Sequence, residues 1–280
     1  MVQIHSPLLS FFSPNLYRYF FSHGSVKKNP SERFWEIDFL RGIAIFLMIV
    51  YHLVFDLNYY ELYRTNLNSL PVLLFLYPIS TSFLLLVGIS LTLSNSRARS
   101  TLSTQQMQGK FLKRGGRVFG LGLLITVVTW IYPHDGYIVF GVLHCIGLSI
   151  ILAYPLIRFR TPALVLGILC IIIGVFLRTT VTVDFPWLLW LGFTPSHFYT
   201  LDYFPLLPWF GVVLIGVFLG NSLYQNNKRK FSLKDHSQFL VSRVVCFLGR
   251  NSLIIYLLHQ LIIVGLLYFI HLVVNGSRIV

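Results

Sequence analysis

The chain has 280 residues, of which 55% are hydrophobic and 11% are charged. Soluble domains contain about 25% charged residues, so this composition excludes an ordinary soluble protein and indicates an integral membrane protein in contact with the lipid bilayer. The formal net charge of +13 does not indicate nucleic-acid binding, because basic residues collect in the cytoplasmic loops of membrane proteins. The three cysteines have the spacing of neither a metal site nor a disulfide framework.

The chain begins with a mixed segment and continues as a series of apolar stretches. Residues 1–32 contain apolar and basic side chains together with Pro7 and Pro14, which predicts a separate N-terminal segment that is interfacial or disordered. From residue 33 to 275, apolar stretches of about 20 residues predict a transmembrane domain, and 276–280 form a short external tail. The predicted spans are 37–57, 71–93, 114–132, 138–156, 162–178, 206–224 and 252–273.

The basic residues predict the orientation of these spans. They precede the first span and fill the connections between spans two and three, four and five, and six and seven, whereas only Arg64, Arg178 and Arg278 fall on the other side. This distribution predicts an all-α helical bundle of about seven transmembrane helices, within a range of seven to nine, with a cytoplasmic N-terminus. No internal repeat is visible, which disfavours the inverted-repeat transporter folds.

The first span carries four ionisable residues, which are unfavourable in hydrocarbon and therefore indicate a function. Arg41 and His52 are eleven residues apart. At about 100° per residue they share one helix face, roughly 16 Å apart along the axis. Asp38 precedes Arg41 by three residues and Asp56 follows His52 by four, so each carboxylate can pair with its neighbour. The span thus has an Asp–Arg pair at its cytoplasmic end and a His–Asp pair in its outer half.

Those two pairs suit the transfer of a group across a membrane. A carboxylate that binds a histidine fixes its tautomer and stabilises the imidazolium, which makes a general base. An arginine recognises phosphate through two parallel hydrogen bonds. We therefore expect Arg41 to hold a phosphorylated donor, and His52, oriented by Asp56, to activate an acceptor or to carry the transferred group. The alternatives are that Arg41 and Asp38 only reach the interface and that His52 only joins two helices.

Other polar residues are candidates for the same cavity. His144 lies in the fourth predicted span, Asn251 at the start of the seventh and His259 within it. Each of them alone suits an interhelical hydrogen bond as well as a catalytic role. No two histidines have the spacing of helical metal ligands, so no metal is expected.

Two further stretches are candidates for binding. Lys113–Arg117 reads Lys-Arg-Gly-Gly-Arg at the cytoplasmic start of the third span. Glycines and cations at a helix N-terminus suit a phosphate group, so Arg114 and Arg117 are candidates for the donor site, although the positive-inside rule also explains them. The external stretch 179–205 mixes aromatic residues with carboxylates, Asp202 among them. That mixture suits sugar binding and equally suits an interfacial aromatic belt.

Three segments resemble a known family. Arg41 and His52, within an Arg-Gly-Ile-Ala helix start, resemble the residue pair of the type 3 membrane acyltransferases. The wider string Trp35-Glu-Ile-Asp-Phe-Leu-Arg-Gly-Ile-Ala is similar to the heparan-alpha-glucosaminide N-acetyltransferase catalytic-domain family, in its prokaryotic form. Residues 140–147, Phe-Gly-Val-Leu-His-Cys-Ile-Gly, resemble an internal motif of that family, and residues 249–260 open the last span as the acyltransferases do.

The resemblance extends over about residues 33–272 and implies an acyltransferase. It implies that acetyl-CoA, as co-substrate, gives its acetyl group from the cytosol to an acceptor on the far side, often a sugar or glycan hydroxyl or amine. It implies a multi-pass location in the cell (plasma) membrane. By position, Arg41 and His52 match the type 3 pair, but the eukaryotic heparan enzymes have asparagine where this chain has His52, so an amino-sugar acceptor does not follow. A proton-coupled transporter and a non-catalytic membrane protein are the alternatives, and the sequence leaves the oligomeric state open.

Overall fold

The computed structural model describes residues 33–67, 69–225 and 228–276. The predicted N-terminal segment 1–32 lies outside the described residues, as do residues 277–280 of the predicted tail. Two short strands, β1 (Tyr224–Gln225) and β2 (Lys228–Arg229), pair antiparallel. The helices in chain order are α1 (Trp35–Tyr59), α2 (Leu70–Ala98), α3 (Thr104–Ile131), α4 (Val142–Ala153), α5 (Arg160–Thr180), α6 (Leu206–Leu223), α7 (Leu240–Arg250) and α8 (Ser252–Gly276).

Six of these helices, α1, α2, α3, α5, α6 and α8, are long and apolar enough to cross a membrane. The fourth predicted span is a shorter apolar element, Val142–Leu156, in which α4 continues into a 3₁₀ turn. The all-α membrane fold is therefore confirmed, and the predicted count of about seven is close, since every predicted span overlaps one of these elements. The sequence does not predict α7, an amphipathic helix of 11 residues in the connection before α8.

Helix α6 lies at the centre of the bundle, packed against α2, α4 and α5. Small residues bring the backbones of α2 and α6 together, because a Cβ on Gly216 would overlap the carbonyl oxygen of Leu85. A hydrophobic core fills the space between α2, α3, α4 and α6. Its fully buried side chains include Leu84, Leu91, Met107, Phe111, Val213 and Val217. This core fixes the relative positions of the helices that surround the polar residues described below.

Helix α1 packs against α2, α7 and α8. Its first turns lie directly against α7, where Gly42 contacts the backbone of Val245 and Gly249 contacts the backbone of Asp38. The opposite face of α7 is exposed and apolar, which is typical of a helix that lies in the membrane interface. The exposed apolar side chains at this face are Phe239, Leu240, Val241 and Val244.

Cationic residues from three connections meet at one end of the bundle, which we call the basic end. Arg99 at the end of α2, Arg158 and Arg160 at the start of α5, and Lys230 after β2 line one cleft there. At the opposite end, which we call the outer end, the α3–α4 and α5–α6 connections are joined by a bridge between Phe140 and Tyr203. The clustering of cations at one end agrees with the predicted cytoplasmic side.

Candidate active site

Helix α1 carries two polar clusters, one toward each end of the bundle. The helix is continuous from Trp35 to Tyr59, so Arg41 and His52 keep the helical phase that the sequence predicts. Arg41 is in contact with α2, and the ring of His52 is in contact with α8. The two predicted residues therefore belong to different clusters on one helix.

The carboxylate of Asp38 organises the cluster at the basic end. Asp38 is buried, and its Oδ1 lies 3.4 Å from Nη1 of Arg41, so the predicted pair is present. Its Oδ2 accepts a second hydrogen bond, of 3.1 Å, from Nε of Arg250. Arg41 also donates from Nη2 to Oγ of Ser90 at 2.6 Å. Because two arginines share one carboxylate, this cluster keeps a net positive charge.

Arg114 of α3 adds to that positive charge. Its guanidinium group is close enough to Arg41 for their charges to repel, and it makes no ion pair with a carboxylate among the described residues. The backbones of α1 and α3 are not closely packed against each other. Arg117, one turn further along α3, is exposed like Arg114, but the described part of the chain shows no interaction of it with Arg41. An anion between Arg41 and Arg114 would relieve their repulsion.

Two histidines form the centre of the second cluster, in the half of α1 toward the outer end. The rings of His52 and His259 meet edge to face, with 4.7 Å between their centroids. Nδ1 of His52 lies 2.9 Å from the carbonyl oxygen of Met48, and Nδ1 of His259 lies 2.6 Å from that of Tyr256. A carbonyl only accepts, so in both rings Nδ1 carries the proton. Each neutral ring therefore presents Nε2 as a basic nitrogen.

The predicted hydrogen bond between His52 and Asp56 is wrong. Oδ1 of Asp56 instead accepts a 2.7 Å hydrogen bond from Nε2 of Gln260 in α8. Helical side chains lean toward the N-terminus of their helix, and this direction brings the His52 ring to the carbonyl of Met48 rather than to the residue one turn later. Asp56 thus fixes Gln260 and leaves the tautomer of His52 to the backbone.

Three buried polar atoms of this cluster have no hydrogen-bond partner among the described residues: Oδ2 of Asp56, Nε2 of His259 and Oε1 of Gln260. Buried polar atoms are nearly always paired, so three that are unpaired on adjoining side chains require an explanation. All three are acceptors. The carboxylate and amide oxygens accept by their nature, and Nε2 of His259 accepts because Nδ1 holds the ring proton. The cluster therefore suits a ligand that brings hydrogen-bond donors, such as hydroxyl or amino groups.

Two other predicted cavity residues have structural roles. His144 lies in the first turn of α4, where Nδ1 accepts from the Gly141 N–H at 3.2 Å and Nε2 donates to Oγ1 of Thr126 at 3.3 Å. Both ring nitrogens are used, so His144 joins α3 to α4. Asn251 donates to the carbonyl of Phe247 at 2.9 Å and lies between α7 and α8, away from the two histidines.

Asp202 of the α5–α6 connection lies at the outer end, against the start of α4. Its Oδ2 accepts a 2.9 Å hydrogen bond from the N–H of Val142, at the start of α4, and Gly141 leaves room for this carboxylate. It interacts electrostatically with Tyr51, the residue before His52, and with Tyr256, three residues before His259. Burial raises the pKa of Asp202 to about 6. The sequence places Asp202 only in an aromatic and acidic stretch and has no signal for the tyrosines.

A family described as heparan-alpha-glucosaminide N-acetyltransferase, catalytic, has a model that matches residues 33–261 of this chain. The matched range begins just before α1 and ends one residue after Gln260, so it includes both clusters. No curated protein and no solved structure matches the chain. Within the described residues, no group of three or more histidines, cysteines and carboxylates has the arrangement of a metal site.

Proposed function

Because the chain belongs to the heparan-alpha-glucosaminide N-acetyltransferase catalytic family, a family of transferases, we propose that it moves an acetyl group from cytosolic acetyl-CoA to a sugar or glycan acceptor. The observation that carries this proposal is the histidine cluster, whose three unpaired acceptor atoms suit the hydroxyl or amino groups of an acceptor. The proposal places the protein in the plasma membrane with its basic end in the cytoplasm, where acetyl-CoA is available.

The basic end of α1 suits the donor. CoA carries several phosphate groups, and Arg41 and Arg114 supply two guanidinium groups whose mutual repulsion a phosphate would relieve. Asp38 and Ser90 hold Arg41 in place, so little side-chain freedom is lost when the donor binds. From Arg41 to His52 the helix rises roughly 16 Å, a span that the long flexible arm of CoA can follow toward the second cluster.

The histidine cluster suits the acceptor and the chemical step. In this proposal, Nε2 of His52 takes the proton from the acceptor's O–H or N–H as that atom attacks the thioester carbonyl. The C–S bond breaks, and the proton on His52 passes to the leaving CoA sulfur. His259, Gln260 and Asp56 hold the acceptor through hydrogen bonds. An acetyl group carried briefly on Nε2 of His52 is the second route to the same products.

Labelled acetyl transfer tests the role of His52. Membranes that contain the protein are supplied with acetyl-labelled acetyl-CoA and with oligosaccharides prepared from a cell envelope. We expect His52→Asn, which lacks a basic nitrogen, to lower labelling of the oligosaccharides by about 100-fold or more. His134→Asn is the matched control, because His134 is exposed in the α3–α4 turn and asparagine tolerates its positive φ of 73°. Equal labelling by wild type and His52→Asn would exclude His52 as base or carrier.

A further inference from the structure

The cleft at the basic end, of about 710 Å³, opens on the side of α2 away from Arg41. Arg99 of the cleft comes nine residues after Ser90, the residue of α2 that binds Arg41. At about 100° per residue, the two positions lie on opposite faces of the helix, so the cleft is separate from the Arg41 cluster. Four cations line the cleft: Arg99, Arg158, Arg160 and Lys230. The uncharged polar residues that line it are Thr92, Asn95, Ser96, Ser100, Asn221, Tyr224 and Gln225.

No carboxylate among the described residues neutralises the positive charge of this cleft. None of its four cations makes an ion pair with a carboxylate among the residues that the structure describes, and no carboxylate lines the cleft. Glu36 contacts the cleft residue Tyr224 at 3.0 Å, but it is already held by two hydrogen bonds of 2.7 Å from Arg229. Four unpaired cations around one cleft favour an anionic ligand with more than one charge.

Contacts with α6 position two of the four cations, Arg158 and Arg160. Nδ2 of Asn221 in α6 donates to the carbonyl of Ile157 at 2.8 Å, which fixes the turn that carries Arg158. The guanidinium of Arg160 lies 5.2 Å from the ring centroid of Phe218. Arg160 is also the first residue of α5, whose N-terminus has no side-chain cap. The free N–H groups and the dipole at a helix N-terminus favour an anion, so this end of α5 adds to the attraction.

Asn95 narrows the class of ligand. It lies in the cleft wall with only 6% of its surface exposed, and its Oδ1 has no hydrogen-bond partner among the described residues. Oδ1 is an acceptor, so a fully ionised phosphate group, which has no donor, would leave it unpaired. A ligand that carries a hydroxyl or amino group beside its phosphate would satisfy both the cations and this oxygen.

We propose that this cleft binds a phosphate ester that also carries a hydroxyl group, either as a free metabolite or as the headgroup of a lipid. The site is distinct from the Arg41–Arg114 region and goes beyond the proposed acetyl transfer. The two probes for these sources are sn-glycerol 3-phosphate, which is soluble, and phosphatidylglycerol, which presents a related glycerol phosphate in a membrane.

The test measures both probes on the full-length protein. Titration calorimetry of the protein in phosphatidylcholine nanodiscs measures the binding of sn-glycerol 3-phosphate. Native mass spectrometry measures the binding of phosphatidylglycerol relative to that of phosphatidylcholine. The variant Arg158→Gln/Lys230→Gln removes two charge-assisted contacts and is expected to weaken binding about tenfold or more. The matched control Arg64→Gln/Lys234→Gln makes the same charge change at exposed residues outside the cleft and is expected to stay within about twofold of wild type.

Each outcome decides the proposal. If the cleft variant, but not the control, loses binding of sn-glycerol 3-phosphate, the cleft binds a free metabolite. If it loses binding of phosphatidylglycerol in the same way, the cleft binds a lipid headgroup. Binding of neither probe, or an equal loss in the cleft variant and the control, overturns it. Since the readout is probe binding, the result does not depend on whether the protein transfers acetyl groups.

Discussion

At the scale of single residues, the two carboxylates of α1 have different roles. Asp38 neutralises part of the charge of Arg41 and Arg250 and so positions the basic cluster. Asp56 fixes Gln260 and presents an acceptor atom that has no partner among the described residues, whereas the backbone sets the tautomer of His52. Asp56 therefore belongs with the binding of an acceptor rather than with the basicity of the histidine.

The variant Asp56→Asn tests that assignment. It replaces one acceptor oxygen by an amide nitrogen and so removes one hydrogen bond to the acceptor's hydroxyl or amine. We expect the KM for the acceptor to rise about tenfold, with the KM for acetyl-CoA unchanged and kcat within about threefold of wild type. Steady-state kinetics on purified protein measure both constants. A large fall in kcat with an unchanged acceptor KM would instead show that Asp56 acts through His52.

Asp202 predicts a pH dependence of stability. Burial raises the pKa of Asp202 to about 6, whereas in the unfolded chain it is about 4. At a pH between these two values, the folded state therefore binds more protons than the unfolded state. Wild-type stability should therefore fall, relative to that of Asp202→Asn, as the pH rises from about 4 to about 6. Thermal unfolding followed across this range measures the difference.

The control for the Asp202 prediction is Asp184→Asn, which changes an exposed carboxylate in the same connection. It should follow the wild-type pH profile. If Asp202→Asn also follows that profile, Asp202 does not titrate with a raised pKa. Tyr51 and Tyr256 interact electrostatically with Asp202, but the neutral tyrosines ordinarily ionise near pH 10, far above this range.

The residue spacing predicts which side chains can pair, but not which do. The i−3 relation of Asp38 to Arg41 leads to a real pair, whereas the i+4 relation of Asp56 to His52 does not. The competing groups are the carbonyl of Met48, which every helix supplies, and Gln260, which is 204 residues away along the chain. Such long-range partners depend on helix packing and are not visible in local spacing.

At the scale of elements, the contact of α1 with α7 shapes the basic end. Gly42 and Gly249 allow the two backbones to touch, and Arg250, at the end of α7, then reaches Asp38. Apolar stretches predict the long helices well, because burial in lipid demands continuous apolarity. They do not predict α7, since only one of its faces is apolar and it is too short to span a membrane.

Gly42→Ala tests the close packing of α1 on α7. A Cβ at this position would overlap the carbonyl group of Val245, which belongs to the backbone and has little freedom to move. We expect a destabilisation of about 1–3 kcal/mol, seen as a lower Tm. Gly120→Ala in α3 is the matched control, because a Cβ there meets nothing within 4 Å, and its Tm should not fall. Equal Tm values for the two variants would contradict the proposed packing.

At the scale of the whole molecule, the two ends of the bundle differ in charge and chemistry. The basic end gathers cations from connections that are distant in sequence, and the histidine cluster lies toward the outer end. α1 joins the two, which suits a donor that binds on one side of a membrane and an acceptor that binds nearer the other.

The most direct test of the proposed acetyl transfer is calorimetric titration of CoA into the purified protein in nanodiscs, because it needs no knowledge of the acceptor. We predict binding in the micromolar range, weakened about tenfold or more by Arg41→Gln/Arg114→Gln. The matched control Arg64→Gln/Arg178→Gln removes two exposed cations of the outer end and should leave CoA binding unchanged. Absence of CoA binding by the wild-type protein, or equal binding by both double variants, would contradict the proposed donor site.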